Sequence, residues 1–238
     1  MIGWKDKIKT RPAPPADLGK TSRAPVIAGQ FGFVGTMRVA SNRGWQPVDL
    51  IEPGDKVLTF DNNMQKVVDV QRELLVLPDA PTETVTFPLL VPPGALHNRG
   101  EFWLLPEQGM LIESDQVVDR LGDPFVVVPA AALDGLCGIR PAHPGGGLEI
   151  TTLVFARDQV IYVEGGLLAH CPDTRPARPG ILRKPSVYEV LDLADARQHV
   201  ADMIAEQDGD ALFCDPGEFL AAFVHPASGP HQDNTIRS

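Results

Sequence analysis

The chain has 238 residues, of which 43% are apolar and 22% charged. That is enough to bury a core without a metal or disulfide staple. Its 23 prolines and 22 glycines are spread throughout, favouring short elements and β structure over a helical bundle, and a net charge of −10 speaks against a general nucleic-acid binder.

Residues 1–23 carry six basic side chains (Lys5, Lys7, Lys9, Arg11, Lys20 and Arg23) against Asp6 and Asp17. The remainder is therefore four charges more acidic than the total. Pro12, Pro14, Pro15 and Pro25 forbid a continuous helix here, so residues 1–29 read as an extended basic arm. Such an arm suits docking against an acidic partner or a neighbouring copy. It lacks the apolar run of a secretory signal, and no stretch of eighteen apolar residues follows. The expectation is no membrane span, and a cytoplasmic location or export without a signal.

From Phe31 the texture becomes that of short strands. FGFVGTMRVAS ends at the turn Asn42-Arg43-Gly44. Glu52-Pro53-Gly54-Asp55 is a turn signal, because Pro presets φ and Gly supplies φ > 0. Lys56–Phe60 reads as a strand stopped by Asp61-Asn62-Asn63, and Lys66–Leu77 as one long strand. Thr82–Leu90 is a further strand candidate broken by Pro88. Phe102–Leu105 and Met110–Ile112 flank Pro106-Glu107-Gln108-Gly109. Gln116–Asp119 and Phe125–Val128 read as a hairpin, Ala130–Leu133 as a helical turn, and Thr151–Phe155 with Gln159–Glu164 as a second hairpin. Together these give a β domain over residues 30–171.

Residues 172–185 form a Pro/Arg-rich linker. Ser186-Val187-Tyr188-Glu189 has the form of a capping box and predicts a helix to about Glu206, within a helical extension over 186–225. Residues 189–218 hold nine acidic side chains and one arginine, and 226–238 is a polar tail.

The cysteines Cys137, Cys171 and Cys214 are odd in number and far apart, without any CxxC. They signal free thiols and no disulfide framework. His97, His143, His199, His225 and His231 have no metal-ligand spacing. Neither a metal nor a cofactor is expected.

The run Gly35-Thr36, then Gly44-Trp45-Gln46-Pro47-Val48, then Pro53-Gly54-Asp55-Lys56-Val57-Leu58-Thr59 resembles the opening block of bacterial Hint domains, the hedgehog/intein class. Leu104–Ile112 resembles that family's second block, and Leu153–Gly165 a later segment. The resemblance covers about residues 30–170. It implies a mainly β, horseshoe-like fold of long curved strands, with Gly35, Thr36, Trp45, Pro53, Gly54 and Asp55 as its motif residues.

It also implies where self-cleavage chemistry should sit. Active members attack the carbonyl before their first residue with a Cys or Ser, and a Thr and His of the second block activate that bond. Here the nucleophile position falls on Phe31, with Gly32 beside it. The second-block positions fall on Leu105 and Gln108, and the later His position on Asp158. His170 is followed by Cys171 and not by the Asn of inteins. Thr36 and Ser41 remain as nearby hydroxyls and read as turn and loop residues. An amide such as Gln108 donates hydrogen bonds but shuttles no proton near neutral pH.

The resulting expectation is a catalytically degenerate Hint domain acting as a structural or binding module, in a homo-oligomer or larger assembly, through its arm or its C-terminal helix. Two alternatives stand beside it: self-processing by a non-standard nucleophile, and a thiol enzyme using Cys171 or Cys137.

Overall fold

A buried stretch Phe33–Val34 (β1) opens the part of the chain that the computed structural model describes, namely residues 31–80, 85–113, 122–174, 186, 188 and 190–206. Arg38–Ser41 (β2) and Gly44–Pro47 (β3) then pair across the Asn42–Arg43 turn, and Lys56–Thr59 (β4) pairs with Asn63–Lys66 (β5). Next come Asp69–Leu75 (β6), Leu89–Val91 (β7), Phe102–Leu104 (β8), Gly109–Glu113 (β9) and Phe125–Pro129 (β10). Arg140–Pro141 (β11), Leu148–Val154 (β12), Gln159–Val163 (β13) and Leu167–Cys171 (β14) follow. A helix, Leu193–Glu206 (α1), ends the described chain.

The strands make two antiparallel sheets. One has the order β11-β7-β8-β1-β12-β6; the other runs β10-β9-β14-β13-β2-β4-β5, with β3 attached to β2. Strand alternation explains why both faces of the second sheet are apolar. Ile161 and Val163 of β13 enter the main core between the sheets, while Val160 and Tyr162 enter a separate cluster on the far side. That outer cluster is roofed by Trp45, Phe60, Met64, Phe125 and Tyr188. Each such aliphatic side chain contributes about 1.5–3 kcal/mol when fully buried.

The Pro-Gly-Asp corner is built as its residues require. Gly54 has φ +104°, where a side chain is strained. Asp55 is buried, accepts the Glu52 N–H at 3.1 Å and pairs with Arg43 at 2.8 Å. Gly35 donates to the Glu149 carbonyl at 3.1 Å, Thr36 is exposed in a turn, and Trp45 is half-buried.

Several expectations are corrected. Lys66–Leu77 is not one strand. It breaks at Val67-Val68, where Val67 N–H donates to Asp55 and Val68 N–H to Val154. The chain leaves one sheet and joins the other at that step, which an aliphatic run does not reveal. For the same reason the strands around Arg157-Asp158 form no hairpin: β12 pairs with β6 and β1, and β13 with β14, β2 and β4. β10 pairs along its whole length with β9, and Gln116–Asp119 lies outside the described residues.

The helix starts later than the capping-box sequence suggests. Asp192 caps it, its Oδ1 accepting the N–H groups of Ala194 and Asp195. Ser186 instead accepts the Tyr188 N–H, and Val190 bridges Val127 on the edge of β10. Ala196 and Val200 dock α1 onto the core, over the 3-10 turn Ala130–Leu133. The arm over 1–29, most of the 172–185 linker, the chain after Glu206 and the tail lie outside the described residues.

Candidate functional site

The two sheets meet where the chain enters the domain, just before β1. Gln108 sits in the turn between β8 and β9, fully buried. Its Oε1 accepts the Gly32 N–H at 3.0 Å, and its Nε2 donates to the carbonyls of Gly109 and His170, both at 2.9 Å. Both amide hydrogens and one oxygen lone pair are thereby used. The Gln108 backbone carbonyl accepts from Ala130 at 2.8 Å, tying the same turn to the 3-10 segment.

The peptide unit between Phe31 and Gly32 is held at both ends. Its N–H goes to Gln108, and its carbonyl accepts from the Thr152 hydroxyl at 3.3 Å. Gly32 has φ +142°, and a Cβ there would lie 2.8 Å from Ile150 Cγ2 and 2.9 Å from Thr152 Oγ1. Close backbone approach explains this glycine. Gly109 is constrained likewise, since a Cβ would sit 2.7 Å from Val127 Cγ1 and 3.1 Å from His170 Cβ.

His170, at the end of β14, is buried beside this joint. Its Nε2 lies 3.9 Å from Asp158 Oδ2, a separation longer than a hydrogen bond, and among the described residues that nitrogen has no hydrogen-bond partner. The neighbouring imidazole is the main reason the Asp158 carboxyl is held down from 3.8 to about 2. Partial burial works the other way, and the Ser186 hydroxyl and Asp173 N–H add to the lowering. The ring stands edge-on to Tyr188 at 5.7 Å, and the Tyr188 hydroxyl donates to Asp61.

A cleft of about 300 Å³ opens beside the joint, walled by Phe31, Gly109, Pro129, Ala131, His170 and Leu191. Most of this lining is apolar, and among the described residues no hydroxyl or thiol side chain belongs to it. Cys171 is buried in the main core, and burial pushes its thiol well up, with the Asp158 charge adding to the effect. Cys137 is exposed in a left-handed turn at φ +46°.

The structure thus brings Phe31, Gly32 and Gln108 to one place, with Asp158 next to it through His170. Leu105 lies alongside, directly after Leu104, which pairs with Phe33; the Leu105 carbonyl accepts the Gln108 N–H, and its side chain belongs to an apolar cluster with Val34, Leu75, Leu77 and Ile150, the last of which also closes over Gly32. Thr36 is exposed, and Ser41 is spent on its own turn, donating to Gly44 and accepting from Arg43. Sequence reasoning missed β14, and with it the approach of His170 to Asp158. The signal was the Glu164-Gly165-Gly166 turn, which folds β14 back on β13 and pairs Val160 with His170. Thr152, Ser186 and Tyr188 carried no local signal of their contacts.

The chain belongs to the Hint-domain family, whose profile, described as Hint domain, matches residues 31–169. Among solved structures it is similar to a bacterial intein-like domain from Clostridium thermocellum at 13% identity, covering 59% of this chain and 99% of that one with a TM-score of 0.39. It is also similar to the gp41-1 intein (11% identity, 59% and 98% covered, TM-score 0.35). The AceL NrdHF class 3 split intein, in a splice-inactive variant, matches at 11% identity, with 61% and 100% covered and a TM-score of 0.37. No curated protein matches the chain. Among the described residues, no helix is long and apolar enough to cross a membrane.

Proposed function

We propose that this Hint-fold chain does not cleave itself and serves as a structural or binding module. The carrying observation is the use made of Gln108. Its side chain makes three hydrogen bonds that join the chain entry, β9 and β14. A neutral imidazole, with one donor and one acceptor nitrogen, could not make all three. The residue therefore matches the demands of a joint better than those of proton transfer.

The surroundings support the same reading. Phe31 has no side-chain atom that can attack a carbonyl, and the Thr152 hydroxyl at its backbone points at the carbonyl oxygen as a hydrogen-bond donor. The Cys171 thiol stays protonated and covered. Binding by association with itself or another protein agrees with the basic N-terminal segment and the acidic remainder.

The test is the intact mass of freshly purified protein, with and without a thiol and hydroxylamine to open any ester or thioester, beside light scattering on the same sample. The expected result is an uncut chain of 25.7 kDa in both conditions. A break at the Gln30–Phe31 bond would establish self-processing instead.

A further inference from the structure

Strand β5 is the last of its sheet, and among the described residues it pairs with β4 alone. Its outer edge therefore offers backbone donors and acceptors to an incoming strand. Across β4 and β5, Leu58 stands opposite Met64 and Lys56 opposite Lys66. Leu58 and Met64 belong to the outer cluster, so alternation puts both lysines on that same outer face. Trp45, opposite Ala40, and Arg38, opposite Pro47, lie on it as well. This part of the sheet thus carries half-buried Trp45 and Met64 among exposed Arg38, Lys56 and Lys66.

Arg38 donates to the Trp45 carbonyl at 2.8 Å, and none of the three cations has an ion-pair partner among the described residues. A single lysine at an edge commonly wards off other strands. Lys56 stands on the inner strand and adds nothing to that defence, while two ammonium groups directly opposite each other on a sheet repel. Such a pair, on a chain of net charge −10, suits an anionic group brought from outside. We infer that this face and the open edge of β5 form the docking site for an extended acidic segment of a partner protein. The segment adds as a strand to β5, with a carboxylate facing Lys66 and an aliphatic side chain facing Met64.

Three features select this occupant. Met64 and Lys66 are two residues apart on one face, so the added strand must alternate acidic and aliphatic side chains on that face. Tryptophan, methionine and arginine, all present here, are residue types enriched in protein interfaces. The open backbone edge is of use to a peptide, whereas a nucleic acid or a lipid surface would engage only the charges. The inference names a partner class for the binding-module reading, on which it rests. The two fail separately, because self-cleavage shows in the intact mass and loss of this site shows in an uncut chain.

The experiment titrates the full chain with a peptide of repeated Glu-Thr-Val-Thr and follows backbone amide shifts by NMR. The expected result is saturable movement of the β5 amides with a Kd of order 100 μM, and none with repeated Lys-Thr-Val-Thr. Lys66→Glu and Lys56→Glu should each weaken binding of the acidic peptide about tenfold, and Lys66→Glu should gain binding of the lysine peptide. Thermal unfolding checks that each variant keeps its fold, and Lys66→Gln and Lys56→Gln replace any that does not. Unmoved β5 amides, or binding unchanged in both lysine variants, would overturn the inference. Tighter binding of a ten-nucleotide oligothymidylate, or of vesicles of equal phosphatidylserine and phosphatidylcholine, lost in Lys66→Glu, would give the face to a nucleic acid or a membrane and overturn the protein partner.

Discussion

The Pro53-Gly54-Asp55 corner and the Gln108 joint do the same physical work with partners at different distances along the chain. At the corner, Asp55 accepts from Glu52, three residues away, and from Arg43, twelve away. At the joint, Gln108 reaches Gly32 across 76 positions and His170 across 62, and Thr152 reaches Phe31 across 121. Loop closure makes the second kind costlier to form, although the cost rises only slowly with length. The corner can therefore form as a local unit, whereas the joint forms only when both sheets are assembled. The difference teaches that the polar centre of this fold depends on global closure.

Breaking the joint should have the largest effect. Gln108→Ala removes three buried hydrogen bonds and leaves polar groups short of partners, at about 1–3 kcal/mol for each group left unpaired. A loss of about 3–5 kcal/mol in urea unfolding is expected, with the cooperative transition kept. Gly32→Ala, at φ +142° with Ile150 Cγ2 2.8 Å from the new Cβ, should cost about 2–3 kcal/mol. Combined with Gln108→Ala it should cost less than the sum, because the Gly32 N–H bond can be lost only once.

The corner should answer more mildly and independently. Asp55→Ala loses the Glu52 N–H and the Arg43 contact, the latter from a side chain 61% exposed, so about 1–2 kcal/mol is expected. Its effect should add to that of Gln108→Ala. Strong coupling between the two would break the comparison.

Asp158 gives a smaller, pH-dependent effect. Its carboxyl is depressed in the folded protein, so its contribution is present above the unfolded value of 3.8 and is lost as pH falls through that value toward about 2. The contribution is at most about 1–2 kcal/mol after solvent screening. Unfolding titrations should show Asp158→Asn losing part of the stability slope between those two pH values, while Asp55→Asn is measured alongside as the local-corner control. An unchanged slope in Asp158→Asn would mean that the His170 contact does not stabilise the ionised form.

How much of this was legible in the sequence follows the same division. The corner, its glycine and its aspartate could be placed from turn chemistry within a few residues, and the β class from the Pro and Gly spacing. Residues of the centre could be placed by the family resemblance, which pointed to Phe31, Gly32, Leu105 and Gln108; Leu105 belongs to the apolar cluster that adjoins Gly32 through Ile150. The step at Val67-Val68 and the crossing at Arg157-Asp158 were hidden because strand alternation is identical whichever sheet a strand joins. The late start of α1 was hidden because Ser186 and Glu189 sit at capping-box spacing, while the chain before Asp192 pairs instead with the edge of β10. Such edge pairing is decided by tertiary contact, beyond any local pattern.

The most direct test of the claim that Gln108 acts as a structural joint is amide hydrogen exchange at Gly32, read by NMR in the native protein. The account predicts that the Gly32 N–H exchanges as slowly as amides of the buried strand β13, because it opens only with global unfolding. Exchange as fast as at the exposed Gly146 would contradict it and leave the chain entry unfastened.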